Sequence, residues 1–113
     1  MIITFENMGL EELANDDKKL LKMFGKIKAK KITRRLNDLR FSNTLEDTRN
    51  LPGNFHELTG NRKGQWACEL DQPYRLVFAP HETPIPTNQD GQYIWQEIKG
   101  IEIIEITNYH KEK

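Results

Sequence analysis

Six side chains suited to acid-base and phosphate chemistry stand at or near the ends of predicted strands. In chain order they are His56, Arg62, Lys63, Arg75, Tyr109 and His110. Imidazoles exchange protons near neutral pH, whereas guanidinium and ammonium groups bind phosphate oxygens. Together they form the side-chain set that cleavage of RNA requires.

Alternating apolar residues predict the strands that must position these groups. A short edge strand is predicted at Met1 to Phe5, and a strand covered on both faces is predicted at Ile101 to Thr107. Between them, we expect strands over Phe55 to Leu58, Gln65 to Leu70 and Tyr74 to Ala79. A three-residue hairpin loop at Asp71 to Pro73 would bury one face and set Glu69 across from Arg75 on the other. That second face is the candidate active surface.

Helical periodicity dominates the first half of the chain. Leu10 to Leu13 predicts one or two helical turns, and capping residues then introduce a long helix from Asp16 to Phe41. Gly25 lies inside this run and marks either a close backbone contact or a break between two helices. We favour one helix with a close contact. One apolar arc of this helix comprises Leu21, Ala29, Ile32, Leu36 and Leu39, and a second comprises Leu20, Phe24 and Ile27.

Residues 80–100 hold three of the five prolines and an Asp-Gly turn, which predicts an inserted loop. Trp95 is expected to pack this loop down, and His81 is expected to be solvated. If the loop covers the face that carries Arg75, it would gate access to that face. The chain is therefore predicted to be one α+β domain, residues 1–113, with N-terminal strand and helices on a small, mainly antiparallel twisted sheet.

Composition narrows the class of protein further. The sequence has no long apolar segment and no signal peptide pattern, so we expect a cytoplasmic protein. Cys68, the single cysteine, is expected to be an inert core thiol.

Charge is distributed unevenly along a chain whose net charge is zero. Lys18 to Arg40 holds ten basic residues and one acid, a net charge of +9, and the remainder carries −9. A polyanion would meet mainly this helix. The candidate RNA contacts on it are Lys26, Lys30, Lys31 and Arg34. A solvated helical face is the alternative reading of the same charges.

Three segments follow the predicted elements in order: FHELTGNRKGQW, then Tyr74-Arg75 before an apolar strand, and Tyr109-His110 after the last strand. In this order, the chain resembles the HigB branch of the RelE/ParE toxin superfamily. These proteins are also called plasmid maintenance killer proteins. The resemblance implies helices flanking a small sheet and cleavage of mRNA in translating ribosomes, without a metal or other cofactor. It also implies a HigA-like helix-turn-helix antitoxin that binds operator DNA together with the toxin.

The resemblance also implies roles for the six side chains. His56 and His110 match the imidazoles that act as base or acid, and Arg75 matches the arginine that binds phosphate. Arg62 and Lys63 match a basic loop, and Tyr109 matches a residue that stacks on a base or orients the scissile nucleotide.

Two positions depart from that pattern, since Thr59 replaces a lysine and Glu69 replaces an arginine. Glu69 could act as a base or position Arg75, or it could make the site poor at cleavage. Two alternative functions therefore remain. One is a noncatalytic toxin of the ParE type that inhibits DNA gyrase, and the other is a degenerate member that only binds its antitoxin.

Overall fold

Seven regular elements and three 3₁₀ turns follow one another in the computed structural model, which describes residues 1–108. They are β1 (Ile2–Phe5), α1 (Met8–Ala14), α2 (Asp17–Phe41), β2 (His56–Glu57), β3 (Trp66–Glu69), β4 (Tyr74–Pro80) and β5 (Gly100–Asn108), with 3₁₀ turns at Leu45–Asn50, Gly60–Arg62 and Trp95–Glu97. The fold is α+β, as the sequence predicts.

The five strands form one sheet in the order β1-β5-β4-β3-β2. β1 pairs parallel with β5, and the other neighbours are antiparallel. β1 is therefore an edge strand, as predicted, and β5 is an interior strand. The predicted hairpin is confirmed, because Glu69 pairs directly with Arg75. β2 spans only His56–Glu57, which is shorter than the predicted strand.

Both helices begin at side-chain caps that satisfy backbone amides left without helical partners. Asn7 accepts a hydrogen bond from the amide of Leu10 at 2.8 Å. Asp16 accepts from the amides of Lys18 and Lys19 at 3.0 and 3.1 Å. The predicted cap of the long helix is thus confirmed.

The prediction of one continuous helix with a close contact at Gly25 is wrong. Gly25 has φ 81° and ψ 171°, which are not helical values, and a Cβ placed there would have no atom within 4 Å. The glycine instead supplies a backbone conformation that is essentially restricted to glycine. The break changes the phase of the first segment, so Leu21 is 52% exposed rather than part of a continuous apolar arc.

The main core lies between the helices and one face of the sheet. Ile32, Leu36 and Leu39 of α2 belong to the same buried cluster as Trp66 and Phe78. Cys68 is also buried there, and its burial raises the pKa of the thiol well above the usual range. On the opposite face of the sheet, residues 1–108 form a small buried cluster of Leu58, Ala67 and Val77.

Trp95 anchors residues 80–100 on the helix side of the sheet, as predicted for its packing role. Its ring packs against Trp66 with 5.8 Å between centroids, and its indole nitrogen donates to Glu57 at 2.8 Å. The guanidinium of Arg49 lies 3.7 Å from the ring centroid. These contacts hold the part of the segment around Trp95 on the side opposite to Arg75, which gives the gating hypothesis no support.

No helix in the described part of the chain is long and apolar enough to cross a membrane.

Candidate functional site

His56 and Arg75 share the face of the sheet that the helices leave uncovered. His56 pairs with Ala67 and Glu69 pairs with Arg75, and residues two apart on β3 point to the same side. Strand spacing and rise then place the Cα atoms of His56 and Arg75 roughly 12 Å apart. Two long side chains at that separation can converge on one phosphodiester.

A loop at Gly53 and Asn54 joins His56 to Glu69. The amide of Glu69 donates to the carbonyl of Gly53 at 2.7 Å, and the Asn54 side-chain amide donates to Glu69 Oε1 at 3.3 Å. Asn54 adopts φ 48°, which asparagine tolerates better than most residues. This loop therefore makes both backbone and side-chain contacts with the strand that carries Glu69.

The His56 ring is held by the same loop. Its Nδ1 lies 2.6 Å from the backbone carbonyl oxygen of Asn54. The ring is half-buried, and it precedes Glu57, whose side chain contacts Trp95 on the other side of the sheet. His56 is thus oriented by a backbone group two residues earlier in the chain.

Arg35 is a buried part of this assembly rather than a solvated residue of the basic helix. It is 6% exposed, and its Nε donates to the carbonyl of Glu69 at 3.1 Å. Its Nη1 also lies 3.7 Å from Asp38. Gly53 has φ 115°, and a Cβ there would overlap Arg35 Nε, so only glycine allows this close approach.

Glu69 brings a carboxylate to the centre of the face. Its backbone is bonded on both sides, to Gly53 and Arg35, and the residue is half-buried beside Arg75. On its far side, Arg75 pairs with Thr107 of β5. Cross-strand neighbours of opposite charge attract one another, so Glu69 would compete with any anion for Arg75.

The predicted basic loop is partly paired within the chain. Arg62 Nη1 donates to Gln65 Oε1 at 2.8 Å, and Arg62 Nη2 forms an ion pair with Glu105. Lys63 is exposed. The sequence did not indicate Glu105 as part of this face, yet it lies in the row of His56, Ala67 and Val77.

The predicted RNA contacts on α2 lie on the other side of the sheet from His56. Lys26, Lys30, Lys31 and Arg34 are all exposed, and they line a cleft of about 840 Å³ beside apolar Leu20, Leu21, Ala29 and Pro52. The cleft approaches the His56 loop at Pro52 and Arg35. The structure does not bring these lysines onto the face that carries Arg75.

Tyr109 and His110 lie outside the described residues, and their roles stay predictions. The last described residues, Thr107 and Asn108, pair with Arg75 and Tyr74.

Three residues of this assembly were not singled out by the sequence: Asn54, Arg35 and Glu105. Asn54 follows Pro52 and Gly53 in a sequence typical of a turn, and Arg35 counted as one charge in a basic run. The available sign that Arg35 is buried was its position directly before the apolar Leu36. Within residues 1–108, no three His, Cys, Asp or Glu side chains are grouped so that they could hold a metal ion.

No protein-family model matches the chain, and no curated protein matches it. Among solved structures, it is similar to a YoeB/ParE toxin from Agrobacterium tumefaciens, with 13% identity, 96% of this chain and 98% of that chain covered, and a TM-score of 0.44. At that identity, the likeness assigns no role to any residue here.

Proposed function

We propose that this chain is the toxin of a type II toxin-antitoxin system and that it cleaves mRNA on the ribosome. The observation that carries the proposal is the shared, helix-free face of His56 and Arg75, with the Glu69 backbone fixed beside them. The sequence resemblance to HigB-like toxins supplies the substrate and the setting.

The reaction needs no metal. The 2′-hydroxyl oxygen of a nucleotide attacks the adjacent phosphorus, and its proton passes to an imidazole. The bond from phosphorus to the 5′ oxygen breaks, and that oxygen takes a proton from a second imidazole that starts in its protonated, positively charged form. The products are a 2′,3′-cyclic phosphate and a 5′-hydroxyl. His56 and His110 are the two imidazoles proposed for these transfers.

Arg75 is proposed to bind the reacting phosphate. A guanidinium can contact two phosphate oxygens at once, and its attraction grows as the phosphorane gains negative charge. Tyr109 would stack on a base or orient the nucleotide, and Arg62 and Lys63 would hold the RNA backbone. The ion pair between Arg62 and Glu105 must open, or share its charge, for Arg62 to act in this way.

Lys26, Lys30, Lys31 and Arg34 are proposed to contact ribosomal RNA. They lie on a different surface from Arg75, which suits a protein that must touch the ribosome and the mRNA together. A HigA-like antitoxin is the proposed partner that neutralises the chain and binds operator DNA with it.

The proposal is tested by inducing the chain without antitoxin and mapping the 5′ ends of cellular mRNA. Codon-phased ends should accumulate with wild type and disappear with Arg75→Ala and His56→Ala. His81→Ala is the matched control, because His81 is an exposed histidine whose Nε2 lies 2.7 Å from the Thr4 hydroxyl, away from Arg75. It should leave the pattern unchanged.

A second candidate function is action by binding alone. It is favoured by Glu69 and Glu105, two carboxylates near Arg75 that would repel a phosphate: Glu105 forms an ion pair with Arg62, and Glu69 lies directly across from Arg75. Growth arrest with intact mRNA and trapped DNA gyrase would support a ParE-type toxin. No arrest at all would support a chain that only binds its antitoxin.

A further inference from the structure

Asn54 contacts an imidazole and a carboxylate of this face, those of His56 and Glu69. Its backbone carbonyl oxygen lies 2.6 Å from His56 Nδ1, and its side-chain Nδ2 lies 3.3 Å from Glu69 Oε1. We propose that Asn54 is a positioning residue that fixes His56 in the Nδ1–H tautomer and makes Nε2 the proton acceptor of the site. The role of Nε2 in cleavage rests on the proposed function, whereas the tautomer does not.

The tautomer follows from the chemistry of the two partners. A carbonyl oxygen can only accept a hydrogen bond, so the nitrogen that lies 2.6 Å from it must carry the hydrogen. A neutral imidazole has one hydrogen on its two nitrogens, and Nε2 is then left with its lone pair. In the reaction above, the 2′-hydroxyl proton would pass to Nε2. The carbonyl of Asn54 would then face the positive imidazolium through the same Nδ1–H bond.

This carbonyl can set a tautomer only if the loop that carries it is held in place. The Gly53 carbonyl accepts from the Glu69 amide at 2.7 Å, and Arg35 Nε donates to the Glu69 carbonyl at 3.1 Å. The Asn54 amide then adds the side-chain bond to Glu69. Buried Arg35 therefore fixes Glu69, Glu69 fixes the loop, and the loop fixes His56.

Asparagine satisfies two requirements at this position. The backbone φ of 48° lies in the left-handed region, which asparagine occupies more readily than most residues. Its side-chain amide can also donate a hydrogen bond to the carboxylate of Glu69, which the carboxylate of an aspartate could not do. Asn54→Gly keeps the first property and removes the second, which makes it the informative substitution.

The test is the ¹⁵N spectrum of the imidazole nitrogens in the full chain, recorded in mildly alkaline buffer. A His56→Gln spectrum assigns the His56 signals among the three histidines. We expect a protonated Nδ1 and an unprotonated Nε2 in wild type, and a mixture of both tautomers in Asn54→Gly. Asn61→Gly is the matched control, since Asn61 is an exposed asparagine in the next loop. Its His56 signals should equal those of wild type.

RNA cleavage is measured on the same proteins with ribosomes and mRNA. Asn54→Gly should slow cleavage about tenfold, the kinetic equivalent of one lost hydrogen bond, without a change in the far-UV spectrum. A wild-type His56 protonated on Nε2, or an Asn54→Gly protein with the wild-type tautomer, would overturn the positioning role. If wild type has the expected tautomer, Asn54→Gly alters that tautomer, and wild type cleaves no RNA, the positioning role is supported and the proposed function is overturned.

Discussion

Glu69 places a negative charge directly across from Arg75, where the proposed phosphate would bind. A phosphate bound at Arg75 would lie about 5 Å from Glu69, and at an effective dielectric constant of about 20 to 80 their repulsion is about 0.8 to 3 kcal/mol. Glu69→Gln removes that charge and keeps an oxygen for the Asn54 amide. We expect it to tighten binding of a short single-stranded RNA about 4- to 150-fold, measured by fluorescence anisotropy.

The control for this substitution is Glu97→Gln, because Glu97 is an exposed carboxylate in the 3₁₀ turn beside Trp95. It should leave RNA affinity unchanged. Slower cleavage by Glu69→Gln with unaltered affinity would contradict the expectation and assign the role of base to Glu69 instead of His56.

The reactivity of Cys68 tests how tightly the core is packed around one residue. The thiol is fully buried, and burial raises its pKa because the thiolate loses solvation there. The thiolate is the reactive form, so native protein at neutral pH should not react with a thiol-specific reagent such as DTNB. One thiol per chain should react after denaturation in guanidinium. Rapid labelling of the native protein would show that the sheet opens near Cys68.

Individual residues differ in how far their roles could be predicted. The placement of His56 and Arg75 on one face could be predicted because each lies in an alternating strand, while their catalytic roles stay predictions. Asn54 could not be identified, because its role depends on a backbone carbonyl and on a contact with Glu69, fifteen residues later. Arg35 was counted as one charge of the basic run, and only the packing of α2 against the Gly53 loop shows that it is buried.

Among the elements, α2 depends most on a single backbone conformation. Gly25→Ala would force a side chain into φ 81° and ψ 171°, at a cost of about 1 to 3 kcal/mol, even though a Cβ would meet no neighbouring atom. We expect the free energy of unfolding in urea to fall by that amount.

Gly9→Ala in α1 is the matched control, because Gly9 is an exposed helical glycine whose added Cβ would lie 3.4 Å from Asn7 Oδ1. It should change stability little or raise it by up to about 1 kcal/mol. An increase in stability with Gly25→Ala would instead support a continuous helix.

The strands were easier to predict than the helix break. Alternation fixed the phase of β3 and β4, and the three-residue turn then fixed Glu69 opposite Arg75. At Gly25, the sequence allowed either a close backbone contact or a helix break. Which of the two occurs depends on how α1 and α2 pack, and the local sequence does not contain that information. The sequence also could not predict which side of the sheet residues 80–100 cover, since Trp95 could have packed against either face.

At the scale of the whole molecule, charge is divided between the helical layer and the sheet. The segment Lys18 to Arg40 carries +9, whereas the sheet face near Arg75 also holds Glu69 and Glu105. A polyanion would therefore meet α2 first, and its binding there should depend strongly on salt. Binding of RNA at the Arg75 face should release fewer counterions and therefore depend less on salt.

This division predicts the effect of changing Lys26, Lys30 and Lys31 together to glutamine. If all three contact phosphates, the slope of log K against log salt for single-stranded RNA should become shallower by about 2, since each contact contributes about 0.7. Lys99→Gln is the control, because Lys99 is an exposed lysine outside α2 and should leave the slope unchanged. An unchanged slope in the triple variant would show that α2 does not contact RNA. Its cleft would then be free to bind a protein partner, and the basic charge would serve that contact.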